Sequence, residues 1–381
     1  MTIFASSIKI LIIGNFAVNY RPNLLIQYLA DNSIEYKHID KTKYAIRSIK
    51  YNMIFKVWKK LYNRFIQSIY FVFELLLITQ YDVVYILPMN NDKIIRLKWI
   101  QLLNKKLIID YYVSLYNTYV NDRKTVQHGS RKAKRLYKLD KYAFKYSTHI
   151  IFLNENEKKY YSDLSGMSCK NALIIPLCVS ERHIAKLPYL TTSNNIPNIC
   201  WWGTFLQLHG LDNIIEAAYI LNSQHFRAKF YLFGVKNGKE IEYIQLINNK
   251  GLDEYVTLRT DLDFSNGLIE FLIDSCDLAL GQFGTNRKAA NVLVNKIVDA
   301  ASMQIPVLTS NNPAVYEFFD DDSILTCSPD ALDIANSIKR AFSNNTELIR
   351  KAKASNLIYK NNFCPKNFYQ RLDNLFKSVL I

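Results

Sequence analysis

The fold is decided by the stretch Asp277-Leu-Ala-Leu-Gly-Gln-Phe-Gly284, which is followed by Asn295-Lys-Ile-Val-Asp-Ala-Ala-Ser302 and then by Ile305-Pro-Val-Leu-Thr309. The first segment contains a short apolar run that ends at a glycine, which predicts a buried strand and a turn. Apolar residues at helical spacing predict a helix over residues 292–301. Proline is tolerated at the first residue of a strand, so the third segment predicts another buried strand. The stretch is therefore typical of a strand–loop–helix–strand unit.

Two features of this unit indicate an anion-binding site. A loop that leaves the carboxyl end of a strand and enters a helix presents unpaired N–H groups to a ligand. Lys296, in the predicted helix, adds a full positive charge near that loop. The alternative is an ordinary crossover helix that carries a lysine on its surface.

The composition is typical of a soluble chain with room for two domains. It has 381 residues, of which 49% are hydrophobic and 21% are charged, so it can bury large cores. Its six cysteines are irregularly spaced and form no C-x-x-C pair, which favours reduced thiols in a cytosolic protein. The first seven residues lack a basic segment, and the most apolar run, 69–78, is interrupted by Glu74. We therefore expect neither a signal peptide nor a membrane span.

Positive charge is concentrated in the first half of the chain. Residues 1–190 contain 30 Lys and Arg against 13 Asp and Glu, whereas the remainder contains 18 against 20. Residues 45–73 have helical spacing with many basic and aromatic side chains, and 131–145 form a second basic helical pattern. Such helices suit an anionic membrane surface; core-facing helices with solvated basic sides are the alternative. Nucleic acid is a weaker explanation, because no nucleic-acid-binding motif accompanies the charge.

The first half also contains our acceptor-side candidates. An apolar strand over 8–13 ends at Gly14 and Asn15, but no further glycines complete the G-x-G-x-x-G fingerprint of dinucleotide binding. We assign this loop to an acceptor substrate. Asp110 ends a later strand, on the usual ligand side of an open α/β sheet, and His128 lies in the polar loop beyond it. These two residues are candidates for a catalytic base or orienting group, with a solvated His128 as the alternative.

The alternation of strands and helices is interrupted at 188–197, a segment rich in Thr, Ser and Asn where the charge balance also changes. We predict a first Rossmann-like domain over 1–187, this linker, and a second Rossmann-like domain over 198–360. A C-terminal helix within 361–381 is expected to pack back on the first domain. The predicted fold class is α/β, with two doubly wound domains that face a cleft.

The second half resembles a known family. Trp201-Trp-Gly-Thr-Phe-Leu-Gln-Leu-His-Gly-Leu-Asp212 is similar to the start of the C-terminal domain in retaining family-4 glycosyltransferases of the GT-B fold. The downstream Gln282-Phe-Gly284, Asp299-Ala-Ala-Ser302 and Pro306-Val307 resemble that family's E-x-F-G, E-A-x-A and P-V segments. The similarity covers most of residues 198–310, whereas the N-terminal half matches only in layout.

The resemblance implies donor-binding roles around the first glycine turn. Gly203 would let the main chain approach the diphosphate of a nucleotide donor, and Gly210 belongs to the residue pair that cradles it. Thr204 occupies the position of the family's usual Arg, and His209 stands where the family has Lys. Two expected cations are therefore missing.

The downstream segment departs from the family in a similar way. Gln282 replaces the first Glu of the family pair, and Asp299 replaces the second, whose carboxylate holds the ribose hydroxyls. Phe283 and Gly284 match the loop whose main-chain amides meet the donor sugar. Related polysaccharide-assembly enzymes look similar in having an Asn-Lys pair at Asn295-Lys296. We interpret this lysine as the replacement for the lost diphosphate charge, since a phosphate needs a nearby cation.

The resemblance implies a glycosyltransferase that moves a sugar from a nucleotide-diphosphate donor to a lipid-linked or polysaccharide acceptor with retention of configuration. The first domain would hold the acceptor and the second the nucleotide sugar, in a cytoplasmic protein peripheral at the inner face of the cell membrane. No cofactor is expected besides the donor substrate, and no metal. Asp261-Leu-Asp263 has the literal D-x-D pattern of a metal site, but we interpret it as a turn or helix-cap pair.

Two other functions stay open at this point. Thr204, His209 and Gln282 replace charged family residues, which would suit a scaffold that keeps the glycosyltransferase fold and binds a nucleotide or a partner without catalysis. A nucleic-acid-binding protein ranks last.

Overall fold

The computed structural model describes residues 8–16, 20–40, 75–168, 171–192 and 195–380, with single positions between 58 and 72. Contacts divide the chain into two compact units. Unit 1 comprises Met1–Leu153, Lys158–Ile175 and Tyr369–Ile381, and unit 2 comprises Asn154–Glu157 and Pro176–Phe368. Each unit is built on one open sheet with flanking helices.

The described residues of unit 1 form six parallel strands in the order β2-β1-β3-β4-β5-β6. The strands are β1 (Lys9–Ile13), β2 (Glu35–Ile39), β3 (Val83–Ile86), β4 (Lys106–Asp110), β5 (His149–Phe152) and β6 (Ala172–Ile174). β3 and β5 are buried along their whole length, as expected for parallel strands covered by helices. β2, which the hydrophobic pattern did not predict, alternates exposed and partly buried residues because it lies at the sheet edge.

In the described part of unit 1, the helices longer than ten residues that lie between these strands are α1 (Arg21–Asp31), α2 (Arg131–Tyr146) and α3 (Glu155–Ser165). Shorter helical turns occur at Asn91–Lys93, Ile94–Leu97, Ile100–Leu103 and Asn117–Asp122. The hydroxyl of Ser130 caps α2 by accepting the N–H of Ala133 at 3.1 Å. The basic helix predicted over 131–145 is therefore confirmed. Most of the helix predicted over 45–73 lies outside the described residues, and its described positions from 58 to 72 are helical.

Unit 2 repeats the architecture, with strand order β12-β11-β10-β7-β8-β9 and parallel pairing throughout. Its strands are β7 (Asn198–Trp202), β8 (Lys229–Phe233), β9 (Val256–Arg259), β10 (Leu278–Leu280), β11 (Val307–Ser310) and β12 (Leu325–Cys327). β10 and β11 were predicted from their apolar runs, whereas β12, which has a threonine at its centre, was not. The predicted fold class of two doubly wound parallel sheets is confirmed.

The longer helices that follow β7 in the chain are α4 (Leu211–Ser223), α5 (Lys239–Asn249), α6 (Leu268–Ser275), α7 (Asn295–Ser302), α8 (Ala331–Phe342), α9 (Asn345–Asn362) and α10 (Pro365–Leu380). Short helical segments occur at Pro188–Thr191, Gln207–His209, Ala289–Asn291 and Pro313–Tyr316. The helix predicted over 292–301 begins later, at Asn295, because the preceding residues form a separate turn that a buried side chain holds in place. Among the described residues, no helix is both long and apolar enough to cross a membrane.

The last helix contributes its final residues to unit 1. There, the hydroxyl of Tyr28 on α1 donates to Asp373 Oδ1 at 2.5 Å, and the Tyr28 ring stacks on Phe376 with centroids 6.0 Å apart. The predicted linker region contains the short helix Pro188–Thr191. The domain limits drawn from the sequence stay a prediction.

Candidate functional site

The candidate site of unit 2 lies where the strand order of the sheet reverses. β7 and β10 are neighbours, but the chain proceeds from β7 to β8 on one side and from β10 to β11 on the other. Loops that diverge in this way leave a crevice at the carboxyl ends of the two strands, where ligands of open α/β sheets bind. The loops after β7 and β10 are the two that the sequence indicated.

These two loops are joined by main-chain hydrogen bonds. The N–H of Phe283 donates to the carbonyl of His209 at 3.0 Å, and the N–H of Gly284 donates to the carbonyl of Leu208 at 3.2 Å. A Cβ atom on Gly210 would lie 2.2 Å from the main chain of Phe283, and one on Gly284 would lie 2.4 Å from the Leu208 oxygen. Both turns therefore need glycine, and they form a single packed floor.

The same hydrogen bonds correct part of the predicted mechanism. The resemblance implied that the amides of Phe283 and Gly284 meet the donor sugar, but both N–H groups are already paired within the floor. The N–H of Gly203 is also paired, with the carbonyl of Phe233 at 2.9 Å, because the pairing of β7 with β8 continues past the strand end. The charge that attracts an anion must come from other groups.

Gly203 leaves space beside a lysine amine. Its φ is +149°, and a Cβ atom on it would lie 3.3 Å from Lys296 Nζ and 3.7 Å from His209 Nε2. The same Nζ lies 4.2 Å from the ring centroid of Trp201. Residues from β7, from the floor and from α7 therefore converge on the open face of Gly203.

Lys296 is buried, with 5% of its surface exposed, and its Nζ makes no hydrogen bond to any described residue. Burial lowers the pKa of Lys296 well below its usual value, and the carboxylate of Asp299 only partly opposes this effect. An unpaired buried amine is costly to protonate, so an anion that reaches Nζ supplies the partner that the described protein lacks.

His209 supplies hydrogen-bonding capacity rather than charge. Burial lowers the pKa of His209 well below its usual value, and the nearby Lys296 and Lys288 lower it further. Its Nδ1 has no hydrogen-bond partner among the described residues. A neutral imidazole carries one donor and one acceptor, so His209 does not replace the positive charge of the family's Lys.

Asp299 forms a buried ion pair with a residue that the sequence did not indicate. Arg182 Nη2 lies 3.0 Å from Asp299 Oδ1, and the two side chains are 5% and 2% exposed. The guanidinium carbon of Arg182 lies 4.7 Å from the ring centroid of Phe264. Arg182 precedes Asp299 by 117 positions in an irregular segment, so neither spacing nor periodicity could have revealed the pair.

Gln282 holds the loop after β10 in shape. Its side chain is fully buried, and Nε2 donates to the carbonyls of Ala289 at 2.7 Å and Val292 at 2.9 Å. A carboxylate has no hydrogen to donate to these carbonyls, which explains why an amide stands at this position. Thr204 is exposed, and Asn295 is the first residue of α7.

In unit 1, Asp110 is committed to a buried ion pair. Its Oδ2 accepts from Arg21 Nε at 3.0 Å and from the Tyr85 hydroxyl at 3.1 Å, and Arg21 Nη1 also donates to the carbonyl of Ile175 at 2.7 Å. A carboxylate paired in this way joins the start of α1 to the sheet, and the catalytic role predicted for Asp110 stays a prediction. His128 is exposed, with its ring centroid 6.5 Å from that of Tyr116, and its role stays a prediction.

The predicted acceptor loop lies at the reversal point of the unit 1 sheet, between β1 and β3. The N–H of Asn15 donates to Asn90 Oδ1 at 3.1 Å, and Asn90 Nδ2 donates back to the carbonyl of Asn15 at 3.1 Å. Gly14 has a φ of +135°, and a Cβ atom on it would lie 2.6 Å from Asn90 Cγ. Asn90 therefore fixes a tight turn at the ligand side of this sheet.

The D-x-D pattern is confirmed as a turn. Asp261 binds the side chain of Arg259, with an Oδ2–Nη2 distance of 2.6 Å. Asp263 Oδ1 accepts the N–H of Ser265 at 2.7 Å, which closes a local turn before α6.

Each sheet has six parallel strands in a doubly wound order, and the chain has the GT-B fold. Among solved structures, it is similar to sucrose-phosphate synthase from Thermosynechococcus elongatus, with a TM-score of 0.70, 14% identity, and coverage of 98% of this chain and 99% of that one. It is similar to HepE from Anabaena in complex with UDP-glucose, with a TM-score of 0.69, 13% identity, and coverage of 97% and 100%. It is also similar to a glycosyltransferase from Rickettsia africae, with a TM-score of 0.61, 14% identity, and coverage of 98% of both chains.

No protein-family model matches the sequence, and no curated protein matches it. At 13–14% identity these structures establish the fold, and the chemistry has to be argued from the residues of this chain.

Proposed function

We propose that the chain is a glycosyltransferase that moves a sugar from a nucleotide-diphosphate donor to a lipid-linked or polysaccharide acceptor. The observation that carries the proposal is the group formed by Gly203, His209, Lys296 and Asp299 at the reversal point of the unit 2 sheet. UDP is the first nucleotide to test, because HepE, a protein of the same fold, is described in complex with UDP and glucose.

The group offers a site for each part of a nucleotide donor. Lys296 Nζ, buried and without a hydrogen bond to any described residue, would bind the diphosphate. Gly203 lacks the Cβ that would fill the space beside this amine. Asp299 stands at the family position whose carboxylate holds the ribose hydroxyls, and it would take that role here while its Oδ1 is bound to Arg182.

These residues also suit the chemistry of sugar transfer. As the bond to the diphosphate breaks, negative charge develops on the leaving phosphate oxygen, and a cation fixed beside it stabilises the transition state. Lys296 would supply that cation, with the N-terminus of α7 next to it in sequence adding a favourable dipole. We infer a reaction that needs neither a metal nor a cofactor and that retains the configuration of the anomeric carbon.

The acceptor and the membrane belong to unit 1 in this proposal. Its tight turn at Gly14 and Asn15 would face the acceptor. The described helical positions Trp58, Phe65 and Val72 are 69%, 65% and 57% exposed, which is unusual for side chains of this kind and suits insertion into a lipid interface. With the basic α2, they support a protein held at the inner face of the cell membrane.

A scaffold without catalytic activity is the second candidate. Gln282 and Thr204 stand at positions where the resemblance leads one to expect charged residues. Gln282 instead binds the main chain of its own loop, and Thr204 is an exposed neutral residue. Such a scaffold would still bind a nucleotide through Lys296.

A panel of UDP-, GDP-, ADP- and dTDP-sugars tests the proposal on the purified full chain. We expect one of them to raise the melting temperature and to be slowly hydrolysed, and proton NMR of the freshly released sugar reports its anomeric configuration. Stabilisation without hydrolysis or transfer would favour the scaffold, and no response to any nucleotide sugar would contradict both.

Matched variants locate the site. Lys296→Ala should abolish the response, whereas Lys353→Ala, at an exposed position of α9 in the same unit, should leave it unchanged. Equal effects would remove Lys296 from the site. Flotation with phosphatidylglycerol vesicles, compared with phosphatidylcholine vesicles, tests the membrane surface independently.

A further inference from the structure

The ion pair between Arg182 and Asp299 occupies an unusual position relative to Lys296. Lys296 and Asp299 are three residues apart on α7, a spacing at which oppositely charged side chains lie on the same face and can pair. Asp299 nevertheless pairs with Arg182, with its Oδ1 3.0 Å from Arg182 Nη2. Lys296 Nζ has no hydrogen-bond partner among the described residues.

The position of Arg182 is defined from two sides. Its guanidinium lies against the ring of Phe264 and against the carboxylate of Asp299, and its side chain is 5% exposed. A planar guanidinium packed in this way loses little further freedom when it binds a carboxylate. The pair is also buried. If Arg182 were removed, the carboxylate of Asp299 would be left buried and uncompensated, which favours its pairing with another cation.

We propose that Arg182 is a positioning residue of the donor site: by binding Asp299, it keeps this carboxylate off Lys296 and leaves the amine available to the diphosphate of a nucleotide donor. This inference rests on the proposed function and adds to it a residue that contacts neither the reacting atoms nor the sugar.

The charges show why such a residue is useful in this chain. Arg182 and Asp299 together are neutral, so a protonated Lys296 contributes a net positive charge to the space beside Gly203. Without Arg182, the carboxylate of Asp299 would pair with Lys296 and cancel that charge. Because Thr204 and His209 provide no positive charge of their own, the site depends on keeping Lys296 unpaired.

The test compares UDP with UMP, since the two ligands differ by the second phosphate. Calorimetric titration of the wild-type chain should give a lower Kd for UDP than for UMP. Arg182→Ala should reduce this preference by about 10-fold or more, as expected when a charge pair is rearranged in a buried site. Adding Asp299→Asn to Arg182→Ala should restore the preference, because no carboxylate then remains to pair with Lys296.

A purely structural role would have a different signature. Structural damage in Arg182→Ala would weaken the binding of UMP and UDP together and would leave the ratio of their Kd values unchanged, because the two ligands differ only by the second phosphate. Arg259→Ala is the control: it breaks a more exposed Arg–Asp pair of unit 2, in which Arg259 also lies over aromatic rings, and it should leave the preference unchanged.

The outcomes separate this inference from the proposed function. A wild-type chain that binds UDP, with Arg182→Ala retaining the full preference for UDP, overturns the role of Arg182 alone. A wild-type chain that binds no nucleoside diphosphate overturns the donor site itself. If Arg182→Ala does not fold, two other variants test the inference. Arg182→Lys should keep most of the preference for UDP over UMP. Asp299→Asn should weaken the binding of UMP and the binding of UDP by the same factor. Loss of the preference in either variant refutes the inference.

Discussion

Replacement of Lys296 by Met should make the protein more stable and its donor site weaker. Met has a similar length and no charge, so it can fill the same space over Trp201 without a buried amine. Replacing a buried charged group by an apolar residue of similar volume is often neutral or stabilising by about 1–4 kcal/mol. For a unit of this size, each kcal/mol corresponds to about 2–4 °C in melting temperature. We therefore expect a rise of several degrees in the ligand-free protein.

The pH dependence of this difference has a definite sign. Burial places the pKa of Lys296 in the folded protein well below its value in the unfolded chain. As the pH falls below the unfolded value of 10.5, the unfolded chain takes up a proton that the folded protein does not, so the wild type loses stability. The advantage of Lys296→Met should grow as the pH is lowered from this value and become constant below the folded pKa.

Donor binding should change in the opposite direction. The ammonium of Lys296 is the group that we place on the diphosphate, and loss of a charged partner in a buried site costs about 2–5 kcal/mol. The affinity for UDP should fall by about 30-fold or more, a change that calorimetric titration measures directly. Differential scanning fluorimetry without ligand, over a series of buffers, measures the stability.

The combination is what makes the test strict. Lys353→Met, at an exposed position of α9, controls for the substitution itself and should alter neither quantity. A Lys296→Met protein that melts at a lower temperature than the wild type would mean that the amine is satisfied in the folded state. Unchanged UDP affinity would mean that the diphosphate does not lie beside it.

Three further substitutions test the loops and the buried acid of unit 2. Gly284→Ala would place a Cβ atom only 2.4 Å from the carbonyl oxygen of Leu208. This clash should lower the free energy of unfolding by about 1–3 kcal/mol, measured by chemical denaturation. Gln282→Glu restores the family residue but sets a carboxylate against two carbonyls, so thermal unfolding should show a less stable protein; a gain in stability or activity would contradict the structural role of the amide. Burial raises the pKa of Glu157 to about 8, so wild-type stability should decline as the pH rises from 4.5 through 8, and urea unfolding of Glu157→Gln should show this decline removed.

The strands of the fold were largely predictable because their driving force is local. β7, β10 and β11 are short apolar runs bounded by glycine or proline, and burial on both faces requires that composition. β2 and β12 were not predicted because both lie at a sheet edge. Edge strands are less covered by helices, so fewer of their residues have to be apolar. Helix boundaries depended on more distant residues: α7 begins at Asn295 because the preceding residues are held by a side chain from β10's loop.

The candidate site was predictable only in part, for a related reason. Lys296 and Asp299 were found because they share one helix with a recognisable motif. Arg182 was missed because it reaches the site from a segment without periodicity, and the pairing of the Gly284 amide was missed because it depends on how two loops meet. The strand-end position of Asp110 indicated where its side chain lies, but not that Arg21 is paired with it.

The interlocked turns after β7 and β10 have a consequence for how the unit moves. Because the amide protons of Phe283 and Gly284 are held by carbonyls of the other turn, neither can exchange with solvent unless the two segments separate. Their protection factors should therefore be similar and should change together in any variant that loosens either turn. An insertion in either turn should therefore disturb both turns at once.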